Sequence, residues 1–243
     1  MSIKTYIGDE LELFSQAMNW KRYCGNRITP RLGARVLEVG AGLGETTNWL
    51  CRGTHTAWLC LEPDAAFCEV IQSKIRAAQL PAGCTVHNGT IESLASHKRE
   101  FDSIIYIDVL EHIEDDRSEL KRAAQLLRER GELIILSPAH DFLFSRFDQQ
   151  IGHYRRYNRK KIRRICPGGL SLVHLEYLDC VGMLASLANR WLLGQSIPTL
   201  RQIAFWDKVM VRASALCDPL FGYRLGKSIL AVMRLEKPGN NRA

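Results

Sequence analysis

Apolar residues recur along this chain with two different periods, and the alternation between them sets out most of its elements. Leu11, Phe14 and Met18 fall at helical spacing, so a leading helix is expected over residues 7 to 27, before a Pro30-Arg31-Leu32-Gly33 turn. From Arg35 the pattern changes to short apolar runs separated by amphipathic stretches. Strands are expected at 35 to 39, 57 to 61, 85 to 87, 103 to 107, 132 to 137, 171 to 178 and 228 to 235. Helices at 44 to 51, 64 to 79 and 116 to 129 separate the early ones. That rhythm predicts an α/β fold: a Rossmann-like, seven-stranded, mostly parallel sheet with right-handed crossovers.

Pro167-Gly168-Gly169 breaks the pattern, and the residues between the last two strands read as a helical insertion or cap. Length fits one domain of 1 to 243, with a helical segment at 1 to 34, a core at 35 to 178, the insertion at 179 to 225 and the last strand at 226 to 237. The apolar positions from Val181 to Phe221, with Trp191 and Trp206, are expected to pack the insertion onto the sheet. The alternative is a lid over a greasy or lipid-linked ligand, which an exposed Trp206 would favour.

Composition removes several classes. Apolar residues at 46% and charged residues at 24% are ordinary globular values without a bias toward disorder. The eight cysteines are scattered with no C-x-x-C pair, so reduced thiols are expected, with neither a disulfide framework nor a metal site. Asp9, Glu10 and Glu12 stand where a secretion signal would be apolar. The most apolar segment, Val181 to Leu193, contains Asn189 and Arg190 and falls short of the ~20 residues a bilayer requires. A cytoplasmic protein is the expectation. The net charge of +7 is local: between Arg155 and Arg164 lie seven cations and no acid, and outside them 26 basic residues face 26 acidic ones.

The sharpest chemical feature is V-L-E-V-G-A-G-L-G-E, Val36 to Glu45, an apolar strand running into Gly40, Gly42 and Gly44. Glycine is needed where backbone turns tightly and approaches a ligand. A dinucleotide fingerprint would need glycine or alanine at 45, where a pyrophosphate sits, and Glu45 would repel it. S-adenosylmethionine carries an ammonium and a sulfonium instead, and acids such as Glu38 suit it. Twenty-two residues after Gly40, Glu62-Pro63 ends the next strand with a carboxylate able to accept both ribose hydroxyl hydrogens.

With L-E-P-D and then F-D-S-I-I-Y-I-D-V-L-E-H-I, the set over about residues 35 to 137 resembles the class I S-adenosylmethionine-dependent methyltransferases. The resemblance implies a final antiparallel strand, S-adenosylmethionine as cofactor, Gly40, Ala41, Gly42 and Gly44 at its methionine end, Glu62 and Pro63 at its ribose, and Asp108 with Val109 at the mouth of strand four. Many members have Gly-Asp where this chain has Gly89-Thr90-Ile91, so Thr90 and Ile91 would hold adenine through backbone and a hydroxyl.

Two histidines follow strand ends, His112 after strand four and His140 after strand five, and either has the pKa of a general base. Orientation of the strand-four loop is the other reading of His112. The stretch from Ser137 into G-H-Y-R-R-Y, and the closing G-K-S-I-L-A-V, resemble a bacterial, type 11/12-like subgroup of these enzymes. His153, Tyr154, Arg155, Arg156 and Tyr157 offer bidentate donors and flat apolar faces, which suits a small acceptor bearing carboxylate or phosphate, sugar- or lipid-linked acceptors included. The product would be a methylated oxygen or nitrogen. Residues Arg159 to Arg164 read as a solvated helix face.

Rival readings are an RNA methyltransferase whose basic run tracks phosphates, a non-catalytic cofactor-binding or membrane-surface protein, and, last, a nicotinamide dehydrogenase. No N-P-P-Y-like motif follows strand four, so nucleic acid is not the expected partner. A peripheral membrane contact through the basic patch stays open, and the oligomeric state is not legible.

Overall fold

The computed structural model describes residues 16–192 and 199–236, with the side chains of 189–192 outside that description. Leu11, Phe14, the side chain of Trp191 and the acids near the N-terminus therefore lie beyond the described residues.

Seven strands form one sheet: β1 (Arg35–Val39), β2 (Ala57–Glu62), β3 (Cys84–Asn88), β4 (Phe101–Ile107), β5 (Leu127–Pro138), β6 (Leu170–Leu178) and β7 (Ser228–Leu235). Their order is β3-β2-β1-β4-β5-β7-β6. The first five are parallel, and β7 runs antiparallel to both neighbours. The expected α/β class and the antiparallel last strand are both present.

The α-helices among the described residues are α1 (Met18–Ile28), α2 (Glu45–Leu50), α3 (Ala65–Arg76), α4 (Asp116–Leu126), α5 (Arg146–Gln150), α6 (Arg159–Ile165), α7 (Cys180–Leu192), α8 (Leu200–Phe205) and α9 (Val211–Leu220). The α4 helix stops three residues before the expected 129, because Leu127 already pairs with Phe101 at the start of β5. Arg130, at φ 64°, then turns the strand before Ser103 pairs with Glu132.

Successive residues of a strand face opposite sides of a sheet, and here both sides are apolar. Leu37, Ile104 and Tyr106 join one core with Tyr157 and Ile162, while Val36, Ile105 and Trp58 join another under Cys24, Ile28 and Leu50. A parallel sheet covered on both faces shows this continuous apolar reading. Met18, one of the residues that set the helical spacing, is exposed, and α1 buries Cys24, Gly25 and Ile28.

Two buried acids hold the insertion together and tie it to α1. Asp179 accepts from the Trp206 indole at 2.7 Å, the Ser214 hydroxyl at 2.6 Å and the Gly182 amide at 2.9 Å. Asp218 accepts from the Tyr23 hydroxyl at 2.6 Å and the Asp179 amide at 2.7 Å. Trp206 is thus buried, which favours packing over a lid, and a single π-helical turn, Trp206–Met210, aims it inward. No helix among the described residues is long and apolar enough to cross a membrane.

Candidate functional site

A cleft of about 1690 Å³ opens at the carboxyl ends of β1, β2 and β4, where ligands of open α/β sheets bind. One drug-sized ligand needs roughly 300–1,000 Å³, so there is room here for a cofactor and an acceptor together.

The loop after β1 is built on glycines in left-handed backbone, Gly40 at φ 69°, Gly42 at 55° and Gly44 at 76°. A Cβ on Gly40 would lie 2.6 Å from Val109 Cγ2, so glycine there lets the loop lie against the exit of β4. Glu62 ends β2 beneath it. Its Oε2 accepts from the Gly42 amide at 2.8 Å and its Oε1 from the Asp64 amide at 2.9 Å. Burial raises the Glu62 carboxyl against the lowering effect of those two bonds. Each carboxylate oxygen keeps a second lone pair, and Glu62 borders the cleft.

Gly40, Ala41, Gly42, Glu62, Pro63, Thr90, Ile91, Asp108 and Val109 all line this wall. Two expected cofactor residues do not. Gly44 closes the turn behind it, against Ile71 and Leu80. Glu38 is buried, accepting from the Thr47 hydroxyl at 2.6 Å and the Trp58 indole at 2.7 Å, so it braces the loop from behind. Glu45 faces Lys21 at 3.3 Å and Lys74 at 2.9 Å, and although burial opposes it, those lysines hold its carboxyl below the usual range.

Asp108 adopts φ 53°, rare for a non-glycine and typical of strained functional positions, with its amide donating to the Leu136 carbonyl at 2.8 Å. It opens onto the cleft, where the surrounding protein pushes its carboxyl up to about 6 while Lys227 pulls it down. Lys227 also lines the cleft, 3.6 Å from Asp179 Oδ2 and 3.9 Å above the Trp206 ring, with burial lowering its ammonium below the ordinary value. Nothing local in G-K-S-I-L-A-V marks this lysine, because its partners come from 21 and 48 residues earlier.

His112 and His140 part company. His112 borders the cleft edge-to-face with His153, centroids 4.5 Å apart, and burial with the nearby His153 lowers it to about 4. His140 does not reach the cleft. Its ring lies between Phe142 and Tyr177, 4.8 and 4.6 Å away, so the expectation of a general base there is corrected: packing, not substrate, occupies both of its faces.

The basic run divides as well. Arg156 reaches the cleft but forms a bidentate pair with Asp148 at 2.8 and 2.9 Å. His153 lines the cleft and meets the same carboxylate at 2.9 Å. Arg155 turns away to Asp116 at 2.8 Å and the Glu114 carbonyl at 2.7 Å. Tyr157 is buried on Asp116 at 2.8 Å, and Tyr154 is exposed outside the cleft. The expected contact of Arg155, Tyr154 and Tyr157 with a ligand in the cleft is therefore corrected, since internal pairing or position takes them away from it. Two cations that sequence reasoning passed over, Arg146 and Arg201, stand exposed at the rim. Isolated in sequence, they carry no cluster signal.

Glu111, His112 and His153 lie together on the same wall, each with a ligand-type atom within 4.8 Å of the others. The expectation of no metal came from cysteine spacing, which is blind to such a group.

Residues 37–135 match a family described as a methyltransferase domain. Among curated relatives, the ubiquinone biosynthesis O-methyltransferase of Azorhizobium caulinodans is 27% identical over 109 residues, 44% of this chain and 42% of the relative. That of Xylella fastidiosa is 31% identical over 117 residues, 46% and 45% of the two chains. The match thus spans under half of each relative's length. Among solved structures, a protein assigned as a sarcosine dimethylglycine methyltransferase from Galdieria sulphuraria superposes with a TM-score of 0.60 over 90% of this chain and 84% of its own, at 17% identity, a likeness of fold.

Proposed function

We propose that this chain, whose residues 37–135 match a methyltransferase domain, is a class I, S-adenosylmethionine-dependent methyltransferase that moves a methyl group to an oxygen or nitrogen of a small anionic acceptor, sugar- or lipid-linked acceptors included. The observation that carries this reading is the division of one cleft. Its inner end is the glycine loop over Glu62, and its rim holds Arg146 and Arg201, two exposed cations that pair with no acid among the described residues.

The inner end fits the cofactor. Glu62 offers lone pairs toward two ribose hydroxyls, Thr90 and Ile91 line the same wall as candidates for the adenine edge, and position 45 lacks the glycine or alanine that a dinucleotide's diphosphate needs. When bound, S-adenosylmethionine supplies a methyl on a sulfonium, displaced in line with the leaving sulfur. The protein's share is then to hold the nucleophile at ~3 Å in good orientation and to exclude water. Of the two histidines expected at strand ends, His112 is the one that borders the cleft.

The rim favours an anion because its arginines are exposed donors suited to carboxylate or phosphate. Relatives named as O-methyltransferases favour oxygen as the acceptor atom. A phosphate track for RNA draws less support, since Arg155, Arg156, Arg159 and Lys161 all bond within the chain.

Isothermal titration with S-adenosylhomocysteine, with NADH as control, tests the cofactor. Micromolar binding of the former alone is expected, and binding of neither overturns the reading. Release of S-adenosylhomocysteine over a panel of anionic and uncharged acceptors then tests the acceptor class, and turnover confined to uncharged ones overturns it.

A further inference from the structure

We propose that Glu111, His112 and His153 hold a divalent transition-metal ion on the wall of the cleft. Their ligand-type atoms gather within 4.8 Å, and His153 Nε2 is already 3.8 Å from Glu111 Oε1. A tetrahedral site with bonds of about 2.0–2.1 Å has edges of about 3.3 Å. The triangle closes with side-chain shifts on the order of an ångström.

A metal-bound histidine gives its other ring nitrogen to a carboxylate or a backbone carbonyl, which fixes its tautomer and aims its lone pair. His153 Nδ1 meets Asp148 Oδ1 at 2.9 Å. Asp148 is itself fixed by the Arg156 fork and by Ser145, whose hydroxyl donates at 2.7 Å, in the capping box that starts α5. His153 is thus held by one nitrogen, and the His112 ring meets it edge-to-face beside the carboxylate of fully buried Glu111.

An ion-pair network of protonated His153 between two acids would satisfy His153, yet it leaves no reason to turn a second imidazole into the same corner. Two imidazoles and one carboxylate suit zinc, manganese or iron better than magnesium or calcium, which favour oxygen ligands. All three residues border the cleft. An acceptor hydroxyl bound there would ionise more readily. That consequence rests on the methyl-transfer reading, whereas the site itself does not.

The test uses the full chain stripped with chelator, then titrated with Zn²⁺ and, separately, loaded with Co²⁺ for its visible spectrum. Expected are one Zn²⁺ per chain, a cobalt band of four- or five-coordinate type, and affinity at least about 100-fold weaker in Glu111→Gln and His153→Ala. S-adenosylhomocysteine titration of each variant reports folding and tests the cofactor separately. Should a variant fail that control, the wild-type cobalt spectrum decides, a hexaaqua-like spectrum overturning the proposal. Zn²⁺ bound weakly by wild type, or equally by folded variants, overturns it too.

Discussion

Gly42 donates its backbone amide to the Glu62 carboxylate at 2.8 Å, so the loop after β1 and the end of β2 are set by one hydrogen bond across 20 residues. The acid thereby shapes the loop as well as facing the ligand. Glu62→Gln, with one oxygen replaced by an NH₂ that opposes an amide donor, is expected to weaken S-adenosylhomocysteine binding tenfold or more, about 1.4 kcal/mol. An unchanged Kd by calorimetry would remove Glu62 from the site.

Glu38 makes stability depend on pH. Burial pushes its carboxyl up to about 7 from the ordinary 4.5, against the bonds from Thr47 and Trp58. The folded protein therefore favours the neutral acid. Its contribution is complete below the ordinary carboxylate value and is lost as pH rises from about 4.5 to about 7. Urea unfolding at pH 5 and pH 8 is expected to show wild type losing on the order of 2–3 kcal/mol more than Glu38→Gln. Parallel losses would refute this.

Asp207 supplies the cap that α1 lacks. Ala17 at the N-cap position offers no side-chain bond, and the Asp207 carboxylate accepts instead from the Trp20 amide at 2.8 Å and the Asn19 amide at 3.2 Å. Asp207→Ala is expected to cost about 1–2 kcal/mol in chemical denaturation. It should also weaken S-adenosylhomocysteine binding, because Trp20, Lys21 and Cys24 form part of the cleft wall. A normal Kd in the destabilised variant would show that α1 does not shape the site.

Arginines at the rim and in the basic run should behave differently. Arg146→Ala and Arg201→Ala are expected to raise KM for an anionic acceptor several-fold at near-constant kcat. Arg155→Ala, whose partners are Asp116 and Glu114, should lower stability with little change in KM. The reverse pattern in steady-state kinetics would restore the basic run as the acceptor site.

What could be read from the sequence was whatever depends on neighbours along the chain. Strand periodicity placed all seven strands, and the spacing from Gly40 to Glu62 placed the acid beneath the glycine loop, where Gly42 meets it. The failures share one cause. Arg155, Tyr157 and His140 looked like site residues from their types, but their orientation depends on Asp116, Phe142 and Tyr177, which only the fold brings close. Lys227 and Glu111 gain their surroundings in the same way, so neither stood out as a chemical group. Glu38 shows the converse, since its type suited a cation and Trp58 and Thr47 had taken its carboxylate.

The strand order carries a consequence for synthesis. β7 lies between β5 and β6, and it is the one strand to which β6 is hydrogen-bonded. As the chain leaves the ribosome, β1 to β5 can assemble as a parallel sheet while β6 waits with no neighbour and β5 keeps an open edge. About fifty residues must follow before the pairing that seals both. Vectorial folding therefore leaves the cofactor half formed early and the β5 edge as the place where a stalled or truncated chain is most prone to aggregate.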